Sequence, residues 1–379
     1  MPAFSQCLLQ EGAIFKSFQL VKEGIFQEKD LIAALMKPGE YPECSGSRNL
    51  NDNINDLKAQ IAANQRGASL IFDLIQEYSL EIVQRYMEYI KENAEFAVRD
   101  CLKNLALNPL TDEIVNYPSF QTTNDLKEMN LEKASKAQEF SFKDYLDDGS
   151  VICLLVTINP QNGTSTFDFT GTSENVIGNF NSPSAILTSC VIYSLRLLVQ
   201  KDIPLNQGCL NPVKIIVPEK SIIRPKEGLA VVGGNVMTSQ RIVDVILGAF
   251  RVVAASHGCM NSLTFGNEKI GGYYETICGG SGAGPGWNGT DAVHVHMTNT
   301  IITDVEILES RHMVIVEEFS LRKRPAASRV HHDPFQLSGD GRGKWNGGRG
   351  VVRRLTFRQP MTVCLLTQRR VIPPYGLFG

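Results

Sequence analysis

The sequence lacks most of the features that would place a chain outside the ordinary globular proteins. None of its nine cysteines pairs with another at a Cys-x-x-Cys spacing, which excludes a zinc knuckle or a thioredoxin-like redox couple. Their odd number and wide scatter argue against a disulfide scaffold and for a reducing compartment. Excess charge is also missing: a net charge of -3 offers no electrostatic reason to bind nucleic acid or an acidic membrane. No apolar run approaches the ~18 residues of a spanning helix. Residues 1–15 lack the basic start and apolar core of a secretory leader, so the cytosol is the expected location. Walker loops and Gly-x-Ser-x-Gly elbows are absent as well. What is present is 379 residues, 43% hydrophobic and 20% charged, enough to bury one large core or several smaller ones.

Glycine is plentiful, and it is concentrated. Between Gly228 and Glu309 it punctuates short apolar runs, as Gly233-Gly234-Asn235 and again from Gly279 to Gly284. Glycine costs conformational entropy, so such a series implies positive φ or close approach of the backbone to something. Tight turns in a β-rich region would satisfy this. Backbone amides gathered around a bound anion or amide would satisfy it too, and the His, Glu and Asn residues of the same stretch favour that second reading.

The element pattern predicts an α+β fold. A strand is expected over Ile14–Val21 and a helix over Gln27–Met36, stopped by Lys37-Pro38-Gly39. The polar knot Arg48, Asn49, Asp52, Asn53 and Asp56 serves either as helix caps or as part of a site. A long helical hairpin follows, within 44–106, with Leu80, Val83, Tyr86, Met87, Ile90, Ala94, Ala97, Val98, Cys101 and Leu105 on one stripe. Residues 107–135 read as an exposed connection. A β-rich core with two packed apolar helices is expected over 136–323. It opens with a hairpin around Asp147-Asp148-Gly149. Its helices run from Ser182-Pro183 to about Gln200, and from Thr238 or Ser239 to Ala255. Residues 324–349 read as an inserted or flexible loop containing His331 and His332, and 350–379 as C-terminal strands.

Several residues carry candidate chemistry. On a strand, His294 and His296 would point to one face and could move protons or share a metal. Glu275, Asp291 or Asp304 are the possible further ligands, and a hydrogen-bonded pair without metal is an equal alternative. His257 is expected to cap a helix C-terminus. Asn235, Gln240 and Asn261 are amides that either tie loops together or bind an amide or carboxylate substrate. Gly234 and Asn235, placed before a helix, would offer free N–H groups to an anion.

The strings CSGSRNLNDNINDLKAQIAANQRG, IPLNQGCLNPVKIIVP, VVGGNVMTSQRIVDVILGAF and YYETICGGSGAGPGWNGTDAVHVHMTNTIITDVEILE closely resemble the hydantoinase B family, from Gln10 to Gly376. Within it the chain resembles the C-terminal part of the eukaryotic 5-oxoprolinases. The resemblance implies ATP-dependent hydrolysis of 5-oxo-L-proline to L-glutamate, a step of glutathione turnover. ATP and Mg would be handled by an actin-like half outside this chain, and the full-length protein would be a homo-oligomer. A divalent metal in this part is possible; relatives carry Asn-Asp-Pro and Gly-x-x-His-x-x-Asp segments, suited to ligating it, ahead of the matched region. The resemblance fixes the segment and not the roles; within that segment the expectation is proton transfer or metal binding by Glu275 with His294 or His296, histidine orientation by Asp304, and substrate contacts from Gly234, Asn235, Gln240 and Asn261. Arg324–Gly341 reads as an insertion relative to the family. Hydantoin-acting or carboxylase-type relatives, or an inert truncated product, are the alternatives.

Overall fold

A computed structural model describes residues 2–109, 136–267, 269, 271–323 and 343–377. The expected connection at 110–135 and most of the expected insertion, with His331 and His332, lie outside the described residues.

The N-terminal segment is made of short pieces: α1 (Leu8–Glu11), the ribbon β1 (Val21–Lys22) with β2 (Ile25–Phe26), and α2 (Glu28–Met36). The strand expected over Ile14–Val21 shrinks to β1, because no sheet lies beside it to extend the ladder and Ile14 and Phe15 stay exposed. α3 (Leu50–Tyr78) and α4 (Leu80–Leu107) are continuous helices, each about 43 Å long at 1.5 Å per residue. The polar knot starts the first of them: the Asn49 side chain accepts the Asp52 amide, and Asn53 reaches Ser47. Ser79, at φ 79°, breaks the pair into a hairpin. Only the C-terminal half of α4 enters the body, through Ala94, Ala97, Val98, Leu102 and Ala106. There the Lys91 carbonyl lies so close to Gly208 that no Cβ fits.

The main sheet grows from the tight turn at 147–149. Asp148 Oδ1 accepts the Ser150 amide at 2.9 Å and Gly149 takes φ 87°, which sets β3 (Gln138–Tyr145) against β4 (Val151–Ile158). β4 alternates strictly: Ile152, Leu154, Val156 and Ile158 are buried, while their neighbours lie partly in solvent. β5 (Ser165–Asp168) joins antiparallel. The chain then crosses through α5 (Ser184–Val199), so β6 (Val213–Ile216) returns parallel to β5. α6 (Ser239–Ala249) lies between the sheet and α5 with all eleven residues buried. Phe167, between sheet and helices, stacks obliquely on Phe250 with centroids 6.3 Å apart.

A second layer holds β7 (Ser262–Asn267) between β8 (Gly271–Thr276) and the later β11 (Thr362–Leu366). α7 (Val305–Arg311) and the ribbon of β9 (Val314–Leu321) with β10 (Val351–Phe357) close a smaller core around Phe265, Leu308 and Val314. The architecture is α+β, with the helical hairpin and the two buried apolar helices read from the pattern. Two helix bounds differ from it. α6 stops at Ala249 rather than Ala255, because Arg251 turns left-handed (φ 54°) and sends Ser256 back to Asp244. α5 starts at Ser184 without a side-chain cap, and the Ser182 hydroxyl is buried without a partner.

Phe167→Ala removes a ring from the centre of the main core, and should lower the unfolding free energy by about 3–5 kcal/mol in chemical denaturation.

Candidate active site

α6 is entered through a π-helical turn, Gly234–Thr238, directly before Ser239. Such turns are rare and concentrate at functional sites. The glycines before it are demanded by crowding. A Cβ on Gly233 would stand 2.7 Å from the Asn179 carbonyl, and one on Gly234 would strike the Asn181 carbonyl. Of the two amides expected to meet an anion, that of Gly234 is taken by the Val231 carbonyl at 2.9 Å, and the Gly233 amide before it donates to Asn179 at 2.8 Å. The anion at this helix start is internal. The Glu11 carboxylate accepts the Val231 and Val232 amides at 2.9–3.0 Å.

Below this turn α6 carries Arg241 and Asp244 into a closed charged cluster. Arg241 Nη1 donates to Asp144 Oδ2 at 3.0 Å and Arg369 Nη2 to the same oxygen at 2.8 Å. Arg369 Nη2 also reaches Asp244 Oδ2 at 3.0 Å. Asp244 additionally accepts the Ser256 amide and hydroxyl, at 3.0 and 3.1 Å, and pairs with His296 Nε2 at 3.2 Å. Burial alone would push the Asp244 carboxyl up. The hydrogen bond from His296, the Arg369 charge and the Ser256 amide overcome it and hold the group well below the usual carboxylate range. Tyr375 Oη closes the rim on the Asp244 carbonyl, and burial pushes its hydroxyl up.

His294 and His296 do not share a face. They lie in a loop, and His296 is left-handed at φ 54°, so strand alternation does not apply. His296 turns to Asp244, with the Tyr193 ring edge-on at 5.9 Å. His294 turns to Thr276 Oγ1 at 3.4 Å, which in turn meets Thr300, and burial lowers its pKa. His257 caps no helix, since α6 ends at Ala249. Its ring packs against Gly279, with Nδ1 3.5 Å from the Gly280 carbonyl, and burial pushes it down to about 4.

The other candidates distribute over several places. Gln240, one turn before Asp244, donates to the Val295 carbonyl (3.2 Å) and Thr298 (2.6 Å) and accepts the Met297 amide (3.1 Å). It therefore clamps the loop that presents His296. Asn261, left-handed at φ 48°, bonds Cys259 and the Ile277 carbonyl. Asn235 is exposed, and its carbonyl accepts the Ser239 hydroxyl. Glu275 shares a face of β8 with Tyr273, opposite to Thr276. Its Oε2 accepts Tyr273 Oη at 2.9 Å, and Oε1 stands 2.9 Å from Arg353 Nε as an ion pair without hydrogen-bond alignment. Asp304 caps α7, accepting the Glu306 and Ile307 amides at 2.9 and 3.2 Å, while the carboxylate beside His296 is Asp244. Asp291 grips Arg349 at 2.6 and 2.8 Å. Thus Gln240, on α6, and His296, in the loop that Gln240 clamps, come together beside that helix, and Glu275, Asn261 and Asp304 stand elsewhere. Asp144, Arg241, Asp244 and Arg369 were missed by sequence reasoning. The one available signal was a charged pair, Arg241 and Asp244, inside an otherwise apolar helix.

The glycine loops make no phosphate cradle among the described residues. Gly280 packs on Gly348, Gly282 on the Ala254 carbonyl, and Gly289 on the Ser281 carbonyl.

The whole chain, residues 1–379, matches the family described as Hydantoinase B/oxoprolinase. The chain belongs to this family. It is 47% identical to 5-oxoprolinase 1 of Arabidopsis thaliana over 382 residues, covering all of this chain and 28% of that protein. The 5-oxoprolinase of Dictyostelium discoideum is also 47% identical, with 26% of its length covered. The chain thus spans about a quarter of these relatives, their C-terminal portion. An ATP-dependent caprolactamase from Pseudomonas jessenii shares the fold, with a TM-score of 0.69 at 18% identity over 92% of this chain and 54% of that one. The helix-start amides are occupied by Glu11, and among the described residues no three His, Cys, Asp or Glu side chains group around a metal position.

Two measurements test this geometry. Arg369→Met strips counter-charge from two buried carboxylates and should cost about 3–5 kcal/mol of stability in urea unfolding. His257 has a folded pKa near 4, below the ordinary value of 6.5, so the unfolded chain binds the extra proton. Its contribution is full above about pH 6.5 and is lost as pH falls toward 4. The His257→Phe stability profile should accordingly be flatter across that window.

Proposed function

We propose that this chain forms the ring-opening side of an enzyme that hydrolyses 5-oxo-L-proline to L-glutamate with ATP. Support comes from the 5-oxoprolinase names of relatives at 47% identity and from the lactam-directed chemistry named for the caprolactamase. The observation carrying the reading is the Asp244–His296 pair at 3.2 Å, its carboxylate on the helix that the π-helical turn opens.

A lactam is a poor electrophile, and its activation by phosphate belongs to a part of the longer protein outside this chain. The residues here supply the proton chemistry. With Nε2 donating to Asp244, His296 takes the tautomer whose Nδ1 is the acceptor. That nitrogen removes the proton of the attacking water and returns it to the departing ring nitrogen, leaving an acyl phosphate that a second water cleaves to glutamate and inorganic phosphate. Asp244 is a positioning residue: already saturated by Arg369 and Ser256, it stays ionised and steadies the imidazolium without taking its proton. Gln240 holds the loop at Val295–Met297 and so fixes the ring. Asn235, the exposed amide of the π turn, contacts the substrate amide.

In the full-length protein, His296→Gln should lower kcat for glutamate formation by about 10²–10⁴ and change KM little. ATP hydrolysis that continues without glutamate release would place the lesion after activation. Undiminished glutamate formation by this variant overturns the assignment, and turnover of hydantoin but not 5-oxoproline overturns the substrate.

A further inference from the structure

His296 is held from three directions, and the mechanism above uses two of them. Asp244 accepts from its Nε2 at 3.2 Å. Gln240 grips the main chain on either side, through the Val295 carbonyl at 3.2 Å and the Met297 amide at 3.1 Å. Both of these partners belong to α6. The third comes from α5: the Tyr193 ring meets the imidazole edge-on, with centroids 5.9 Å apart and planes at 76°. Burial pushes the Tyr193 hydroxyl up, and the His296 amide, donating to it, opposes part of that rise.

We propose that Tyr193 is a positioning residue that sets the plane of the His296 ring, and so the direction in which Nδ1 points. The inference rests on the catalytic reading of His296. A hydrogen bond from Nε2 anchors one atom of the imidazole and leaves its plane free to turn, since the histidine χ2 torsion has broad wells. Gln240 fixes the main chain rather than the ring. An edge-to-face contact supplies the missing constraint, because the quadrupoles of two rings favour one mutual tilt. His296 depends on such support. Its φ of 54° is left-handed, a conformation that persists in a residue with a Cβ where the surroundings over-determine it. Tyr193 is itself fixed. One turn earlier, Cys190 Sγ donates to the Ser239 carbonyl at 3.4 Å, which ties α5 to the first residue of α6. Leu187, Val191 and Leu195 of α5 are buried in the main core, on which Met297 also packs. Tyr193 and Asp244 therefore reach His296 from two helices held in one register.

Steady-state turnover of 5-oxo-L-proline with ATP is measured in the full-length protein and in its Tyr193→Met and Tyr193→Phe variants. Methionine fills the space without a ring, and phenylalanine keeps the ring without the hydroxyl. Tyr193→Met should lower kcat by about 10–100-fold with KM within about twofold, as a ~1 Å misplacement of a reacting group does. Tyr193→Phe should restore kcat to within about threefold of the parent. Added to His296→Gln, Tyr193→Met should change kcat by less than about twofold, because it acts through that ring. Parental kcat in Tyr193→Met overturns the proposal, as does a full further loss in the His296→Gln background. A Tyr193→Phe protein as slow as Tyr193→Met overturns it in favour of the hydroxyl. Undiminished turnover by His296→Gln alone overturns the catalytic reading and this proposal together. A slow His296→Gln beside a parental Tyr193→Met overturns this proposal and leaves that reading standing.

Discussion

Two arginines and two aspartates, sealed between α6, the end of β3 and the C-terminal segment, are the constraint on which the rest depends. Asp144, Arg241 and Asp244 are 6%, 0% and 1% exposed, so each charge is tolerable only because its opposite is within hydrogen-bond distance. A buried quartet of this kind adds little net stability over an apolar one, but it tolerates no missing member. It therefore acts as a registration device. β3, α6, the 256–258 turn and residue 369 must all arrive together, and His296 is placed as a consequence.

The glycines perform a second kind of registration. Gly280 and Gly348 meet backbone to backbone, Gly289 meets the Ser281 carbonyl, and Gly348 meets that of Thr290. Segments separated by some 60 residues thereby touch without side chains between them. This holds the loops around His257 and His294 against the C-terminal part, whereas an anion-binding role would require amides left unpaired. The same economy occurs at Gly233 and Gly234, where closeness to Asn179 and Asn181 fixes the π turn.

Local chemistry was enough for much of the fold. The turn residues at 147–149, the alternation of Val151–Ile158, and the helical stripe from Leu80 to Leu105 each settle their structure within a few neighbours. So do the Asn49 cap and the Ala249-side apolar helix, because hydrogen bonds and periodic burial act over short stretches. The strings that mark the family are likewise contiguous. Function at the level of a family was therefore readable before any coordinates.

The site was not readable in the same way, since its members lie far apart in the chain. Asp144, Asp244, His296 and Arg369 lie 52 to 225 residues apart and converge only when sheet, helix and C-terminal segment pack. Glu275 and Thr276 show the complementary limit. Adjacent in sequence, they face opposite sides of β8, one toward Arg353 and one toward His294. Composition and periodicity settle which segments form; which carboxylate meets which histidine is settled by packing, because long-range electrostatic pairing leaves no short-range trace.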